Sequence, residues 1–191
     1  MNLYRILPFA RHLIDLVVQE GDIAVDATAG NGHDTLYLAE RTGESGRVYS
    51  FDIQPEAIQS TKERLKKAGL ETHVTLLQQS HCKAADVIPK SEHLKLKAAI
   101  FNLGYLPGGD KTITTSPQTT ITAVKNLLSI MPDGGLIILV IYHGHAEGQI
   151  ERDELLSFTE SLDQQEAHVL RYQFTNQTNN PPFIVAIEKR G

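Results

Sequence analysis

Gly30, Gly32 and Asp52 have the spacing of a nucleoside-type site. Asp26 closes a short apolar run, Ile23-Ala24-Val25, and leads through Ala27-Thr28-Ala29 into Gly30-Asn31-Gly32. Both glycines can take positive φ and let a ligand lie against backbone with no Cβ in the way. The segment that follows, Asp34 to Arg41, reads as a helix whose free N–H groups can face electron-rich ligand atoms. Asp52 ends the next strand-like run, Arg47 to Asp52, 20 residues beyond Gly32. An acidic residue there can accept hydrogen bonds from both ribose hydroxyls of a bound nucleoside. The dinucleotide fingerprint G-x-G-x-x-G is incomplete, because Thr35 holds the third glycine position, and no phosphate-binding G-x-x-x-x-G-K-[ST] run follows Gly30. The spacing therefore points to a nucleoside-type ligand more readily than to a pyrophosphate.

Three further clusters follow strand-like runs. Ser80-His81 comes after His73 to Leu77 and would pass beside a purine, whose ring nitrogens need polar partners when buried. Asn102-Leu103-Gly104-Tyr105 follows Leu96 to Asn102. Asn102 offers an acceptor and a donor, Leu103 and Tyr105 an apolar or stacking wall, and Gly104 close backbone approach. In the same stretch Asp110 can act on a proton and Lys111 can touch a phosphate, or both serve as cap and surface charge. His143 and His145 follow the most apolar run, Leu136 to Tyr142. An i,i+2 histidine pair without a third ligand does not make a metal site, and no metal is expected. His143 either faces substrate or ties down its loop. Cys82 reads as packing or a helix start.

These clusters need a scaffold that brings strand ends together. Apolar runs alternate with amphipathic segments, the pattern of an α/β fold with a parallel sheet and helices on both faces. Pro55 opens a helix ending at Gly69, whose charges (Lys62, Glu63, Arg64, Lys66, Lys67) read as a solvated face. Pro117 opens another, which runs to Ile130, and Ile150 to Leu162 a third. The run Leu136 to Tyr142 must be a central strand. His168 to Phe174 and Phe183 to Lys189 are separated by too few residues for a crossover helix, so the last two strands should form an antiparallel hairpin. Leu3 to Val18 reads as a helical cap within residues 1–20, with Pro8 an interruption or a first-turn residue. Tyr4, Arg5, Arg11 and His12 there either pack on the surface or line an entrance.

A chain of 191 residues is most naturally one domain, 1–191. With Lys+Arg 18 against Asp+Glu 23 the formal charge is -5, so no global basic field advertises a polyanion partner, although a local basic patch remains compatible with an RNA substrate. Cys82 is the only cysteine, which excludes an intrachain disulfide and a cysteine-rich zinc site and fits a reducing compartment. Charged residues interrupt the N-terminal apolar stretch, so neither a membrane span nor a signal peptide is expected and the cytoplasm is the default.

Taken in order, the motifs resemble those of class I S-adenosylmethionine-dependent methyltransferases, and most closely a small bacterial family first described as rRNA methylases and associated with methylation of an aminomethyl group on the wobble uridine of tRNA. The resemblance is carried by Asp26 to Thr35, Phe51-Asp52-Ile53-Gln54, Ser80-His81, Phe101 to Lys111 and Tyr142-His143-Gly144-His145, and spans nearly the whole chain. It implies a Rossmann-like sheet of seven strands, mostly parallel, with the last antiparallel. It also implies S-adenosylmethionine as donor, with S-adenosylhomocysteine as product. Asp26, Gly30, Asn31 and Gly32 would form the methionine-side pocket, Asp52 and Gln54 the ribose and adenine neighbourhood, and Ser80 with His81 the adenine wall. Asn102, Leu103, Gly104 and Tyr105 would position the acceptor amine near the sulfonium methyl, with Tyr105, Asp110 or His143 assisting proton loss. The expected partner is the tRNA anticodon stem-loop, with Lys111, Arg5 and Arg11 on its side, and association as a homodimer would give a small domain more RNA surface. The same fold also serves rRNA or small-molecule methylation, or noncatalytic binding of S-adenosylmethionine, because the cofactor site says little about the acceptor.

Overall fold

The computed structural model describes residues 2–104, 108, 114–144 and 146–191. Among these, seven strands form one sheet in the order β3-β2-β1-β4-β5-β7-β6. The strands are β1 (Ile23–Asp26), β2 (Arg47–Asp52), β3 (Val74–Gln78), β4 (Leu96–Leu103), β5 (Leu136–Ile141), β6 (Ala167–Tyr172) and β7 (Phe183–Lys189). The first five are parallel, and β7 runs antiparallel between β5 and β6, so the expected terminal hairpin is present. The helices are α1 (Ile6–Val17), α2 (His33–Thr42), α3 (Pro55–Ala68), α4 (Ala84–Val87), α5 (Pro117–Ile130) and α6 (Ala146–Glu160). This is the Rossmann-like arrangement of class I methyltransferases.

Strand periodicity divides the core into two layers. Ala24, Val48, Ala98, Ile100, Ile138 and Val140 pack with Ala10 and Ile14 of α1, Leu38 of α2 and Leu65 of α3. The alternate residues Val25, Phe51, Ala99, Phe101, Ile137 and Leu139 pack with Ala84 of α4, Val124 and Leu127 of α5 and Leu155 of α6. β5 is buried along its whole length, as a central strand covered on both faces must be. Pro8 sits in the first turn of α1, where its missing N–H costs nothing. Gly69 closes α3 in the left-handed conformation.

Element boundaries differ from the sequence reading in two places that matter. α6 starts at Ala146, one turn earlier than Ile150. β6 stops at Tyr172, short of Phe174, and its exposed residues form the sheet's outer edge.

Candidate active site

From β1 the chain winds outward in one direction through β2 and β3, then crosses back to β4 on the other side of β1. The carboxyl ends of β1 and β4 therefore flank a topological switch point, where open α/β sheets hold ligands. Asp26, Asp52, Asn102 and Tyr142 all lie at or just beyond such ends.

The loop after β1 is built by hydrogen bonds to three elements. Ala27 N–H donates to Ile100 O at 2.9 Å and Ala29 N–H to Phe51 O at 2.8 Å, which carries the pairing with β4 and β2 one step past the strand. Gly30 and Gly32 have φ of 52° and 76°, the left-handed region expected of them. At Gly32 packing is a second reason for glycine: a Cβ would lie 2.8 Å from the Thr61 Cα of α3. Asn31 faces the same helix, with its carbonyl accepting from Arg64 Nε at 2.6 Å and its Oδ1 from Ser60 Oγ at 3.4 Å. Arg64 thus leaves the solvated face read for α3 and braces the glycine loop.

Asp26 is fully buried. Its Oδ2 accepts from Thr35 Oγ1 at 2.6 Å and its Oδ1 from Thr28 N–H at 3.1 Å, and Thr35 Oγ1 lies 2.8 Å from Ser50 Oγ. Burial, then the neighbouring Asp34 carboxylate, push the Asp26 carboxyl up to about 7, against the opposing pull of those hydrogen bonds. Asp52 spans the site: Oδ2 accepts from Gly30 N–H at 2.9 Å and Oδ1 from Gln54 N–H at 3.0 Å. It therefore holds the glycine loop against β2, with carboxylate lone pairs left for a ligand. Ile53, next to it, is 53% exposed.

At the end of β4, Asn102 N–H donates to Thr28 Oγ1 at 2.7 Å and Asn102 Nδ2 to Asp34 Oδ2 at 2.6 Å. Asp34 also pairs with Arg11 Nη2 of α1 at 3.6 Å, and Arg11 lies over the Tyr37 ring at 4.7 Å. Sequence reasoning did not single out Asp34 as a partner of Asn102, because a carboxylate in a helix's first turn reads as an ordinary dipole partner. Tyr142 belongs to the same wall. Burial and the Asp34 charge raise its phenol above the usual tyrosine range, and its Cβ is 3.5 Å from where a Gly104 Cβ would stand.

Other predicted site residues are placed differently from one another. Leu103 is buried in the core, so only its backbone borders the site. Gly104 takes φ of 152° and donates its N–H to Thr115 Oγ1 at 3.1 Å. Ser80 caps the 3-10 turn His81–Lys83. His81 is turned inward: Nδ1 meets Ala27 O at 3.1 Å, the ring stands edge-on to Phe101, and burial lowers its pKa, so it is neutral with Nδ1–H as donor. His81 Nε2 is buried without a partner among the described residues. His143 is buried against Phe183, with Nε2 3.0 Å from Pro181 O and Nδ1 3.4 Å from Arg152 Nη1. Both of its nitrogens are thereby engaged in tying the β6–β7 connection to α6. Tyr105, Asp110, Lys111 and His145 lie outside the described residues. Among the described residues no three His, Cys, Asp or Glu side chains cluster as metal ligands, and no helix is long and apolar enough to cross a membrane.

Asp26, Asp34 and Asp52 gather around the glycine loop, so carboxylates dominate the polar groups at this end of the sheet. Fold and cleft together define a class I S-adenosylmethionine-dependent methyltransferase. The chain belongs to the family described as "Putative rRNA methylase", whose model matches residues 48–188. It is similar over 99% of its length, and all of the other chain's, to a Clostridium thermocellum crystal structure of the same description, at 42% identity and a TM-score of 0.95. A Streptococcus mutans methyltransferase structure in complex with SAH matches over 98% of this chain and 99% of that one, at 37% identity and a TM-score of 0.87. Among curated relatives, the chloroplastic tRNA (mnm(5)s(2)U34)-methyltransferase of Arabidopsis thaliana is 36% identical over 181 residues, which is 91% of this chain and 65% of the relative. The chain thus spans a little under two thirds of that relative's length.

Proposed function

We propose that this chain methylates the aminomethyl nitrogen of 5-aminomethyl-(2-thio)uridine at the tRNA wobble position, giving 5-methylaminomethyl-(2-thio)uridine. The similarity over 181 residues to a protein named for that product supports the choice of acceptor. The observation that carries the chemistry is Asn102, a carboxamide at the end of β4 whose Nδ2 is committed to Asp34. That bond uses one of the two Nδ2 protons and sets the orientation of the carboxamide, whose Oδ1 accepts from the acceptor amine.

S-Adenosylmethionine, when bound, supplies an electrophilic methyl on a sulfonium. The amine lone pair forms the new N–C bond, the S–C electron pair stays on sulfur, and the nitrogen then sheds a proton. The residues work by holding the partners in line, and alignment alone can supply a large share of such a barrier. Asp26 and the Gly30-Asn31-Gly32 backbone hold the methionine end. Asp52 takes the ribose hydroxyls and Gln54 the adenine neighbourhood, with Ile53 as an apolar face. Ser80 and His81 close the adenine side, His81 by bracing the backbone at Ala27. Leu103 and Gly104 border the cofactor through backbone. Tyr105, Asp110 or His143 assists proton loss or holds the amine, His143 doing so only after releasing Pro181. A wobble base lies in a single-stranded loop, so presenting it requires little unpairing. Arg5, Arg11 and Lys111 face the RNA, one domain with α1 as its cap carries the whole reaction, and the working unit is a homodimer in the cytoplasm.

The test is to incubate the protein with labelled S-adenosylmethionine and tRNA lacking only this methyl, digest the RNA and weigh the nucleosides. Appearance of the methylaminomethyl nucleoside supports the reading. Its absence with competent tRNA and demonstrated cofactor binding refutes it, and label in rRNA instead redirects the acceptor assignment.

A further inference from the structure

We infer that Glu151 is a positioning residue for the acceptor side of the cleft, acting through Thr115 on the end of β4; this rests on the reading of Asn102 as the acceptor contact. Glu151 lies in the second turn of α6 and is 3% exposed, an unusual place for a carboxylate. Its Oε2 accepts from Thr115 Oγ1 at 2.5 Å and its Oε1 from Thr120 Oγ1, on α5, at 2.9 Å.

Hydrogen-bond accounting shows what the Thr115 contact does. Leu103 is the last β4 residue in register with β5, so the N–H of Gly104 has left the sheet ladder. Thr115 supplies its partner: Gly104 N–H donates to Thr115 Oγ1 at 3.1 Å, and Thr115 N–H donates back to Gly104 O at 3.2 Å. Once Thr115 Oγ1 accepts from Gly104, its own proton needs an acceptor, and Glu151 Oε2 is that acceptor. The relay Gly104 N–H, Thr115 O–H, Glu151 carboxylate therefore fixes the backbone two residues past Asn102. It also fixes the point where Gly104 approaches Tyr142. Bonding α6 to α5 needs only the Thr120 contact. The Thr115 contact serves the strand end, and a charged acceptor makes it about twice as strong as a neutral one.

The experiment compares Thr115→Val, Thr115→Ser and Glu151→Gln with the wild-type protein. The assays are calorimetric affinity for S-adenosylhomocysteine, steady-state methylation of tRNA, and hydrogen exchange at the Gly104 amide. Thr115→Val removes the hydroxyl while nearly keeping the shape. It should lower kcat/KM for tRNA about tenfold or more and speed exchange at Gly104, with a clearly smaller loss of cofactor affinity, since Gly104 meets the cofactor through backbone alone. Thr115→Ser keeps Oγ and should restore both readouts, which a role confined to packing would not do. Glu151→Gln has one acceptor oxygen for two hydroxyls and should shift both readouts in the same direction as Thr115→Val. Unchanged exchange and kcat/KM in Thr115→Val and Glu151→Gln would overturn the inference, as would equal losses of cofactor affinity and turnover. If the wild-type protein does not methylate tRNA, the proposed function fails, and Gly104 exchange alone still decides the clamp.

Discussion

Asp26 should make the ligand-free protein less stable as the pH rises through neutrality. Its carboxyl is pushed from 3.8 up to about 7, by burial first and by Asp34 second. A group whose folded pKa is raised holds its proton more tightly in the native state. Its contribution is therefore intact below the unfolded value near 4 and is progressively lost as pH climbs towards 7. At about 1.4 kcal/mol per pKa unit the full loss is on the order of 4 kcal/mol, and more than half of it, roughly 2–3 kcal/mol, falls between pH 5 and pH 8. Asp26→Asn removes the titration at small structural cost. The Thr35 hydroxyl, 2.6 Å from Oδ2, can reverse to accept from an amide and donate to Ser50 Oγ at 2.8 Å. Urea unfolding of both proteins at the two pH values gives a double difference in which the titrating groups not coupled to Asp26 cancel. The wild type should lose roughly 2–3 kcal/mol more than Asp26→Asn between pH 5 and pH 8. A double difference below about 0.5 kcal/mol would refute the burial argument. The same linkage predicts that a cationic ligand, by favouring the ionised carboxylate, releases protons on binding near pH 6.5. Calorimetry of S-adenosylmethionine binding in buffers of different ionisation enthalpy reads that release.

Asp52→Ala should weaken S-adenosylhomocysteine binding by about 1.4 kcal/mol or more, since it removes the ribose contact and frees Gly30 N–H from its 2.9 Å bond; unchanged affinity by calorimetry would remove Asp52 from the ribose role. Gly32→Ala should destabilise the protein by about 2 kcal/mol or more, because the residue has φ of 76° and its Cβ would meet α3 backbone at 2.8 Å, and a urea midpoint equal to wild type would contradict this. Asn102→Ala should cut tRNA turnover about tenfold or more at saturating cofactor, and normal turnover would take the end of β4 out of the chemistry.

What was legible in the sequence followed from local rules. The strand, glycine turn and helix start around Gly30 and Gly32, the helices opened by Pro55 and Pro117, and the closing hairpin each rest on backbone conformations that few residue types allow. The cleft's long-range partners were not legible in this way. Asp34 sits in a helix's first turn, where a carboxylate is common, and nothing local says that Asn102 will reach it across the switch point. Glu151 was hidden because a carboxylate near a helix start reads as an ordinary dipole partner, and only the tertiary fold sets it against Thr115 and Thr120. The sequence leaves His143 between facing substrate and tying down its loop. A histidine just past a strand end suggests a reacting group, yet it is packed on Phe183 and bonded to Pro181 O, a contact that needs the β6–β7 connection to fold back over β5. In each case the side chain's role depends on which residue the topology brings opposite it. The glycine loop identifies the class of donor from sequence. The surroundings of the β4 end, where we propose the acceptor binds, are assembled from α1, α2, β4, β5 and α6, and they become visible only when Asp34 and Glu151 are seen holding the two sides of one strand end.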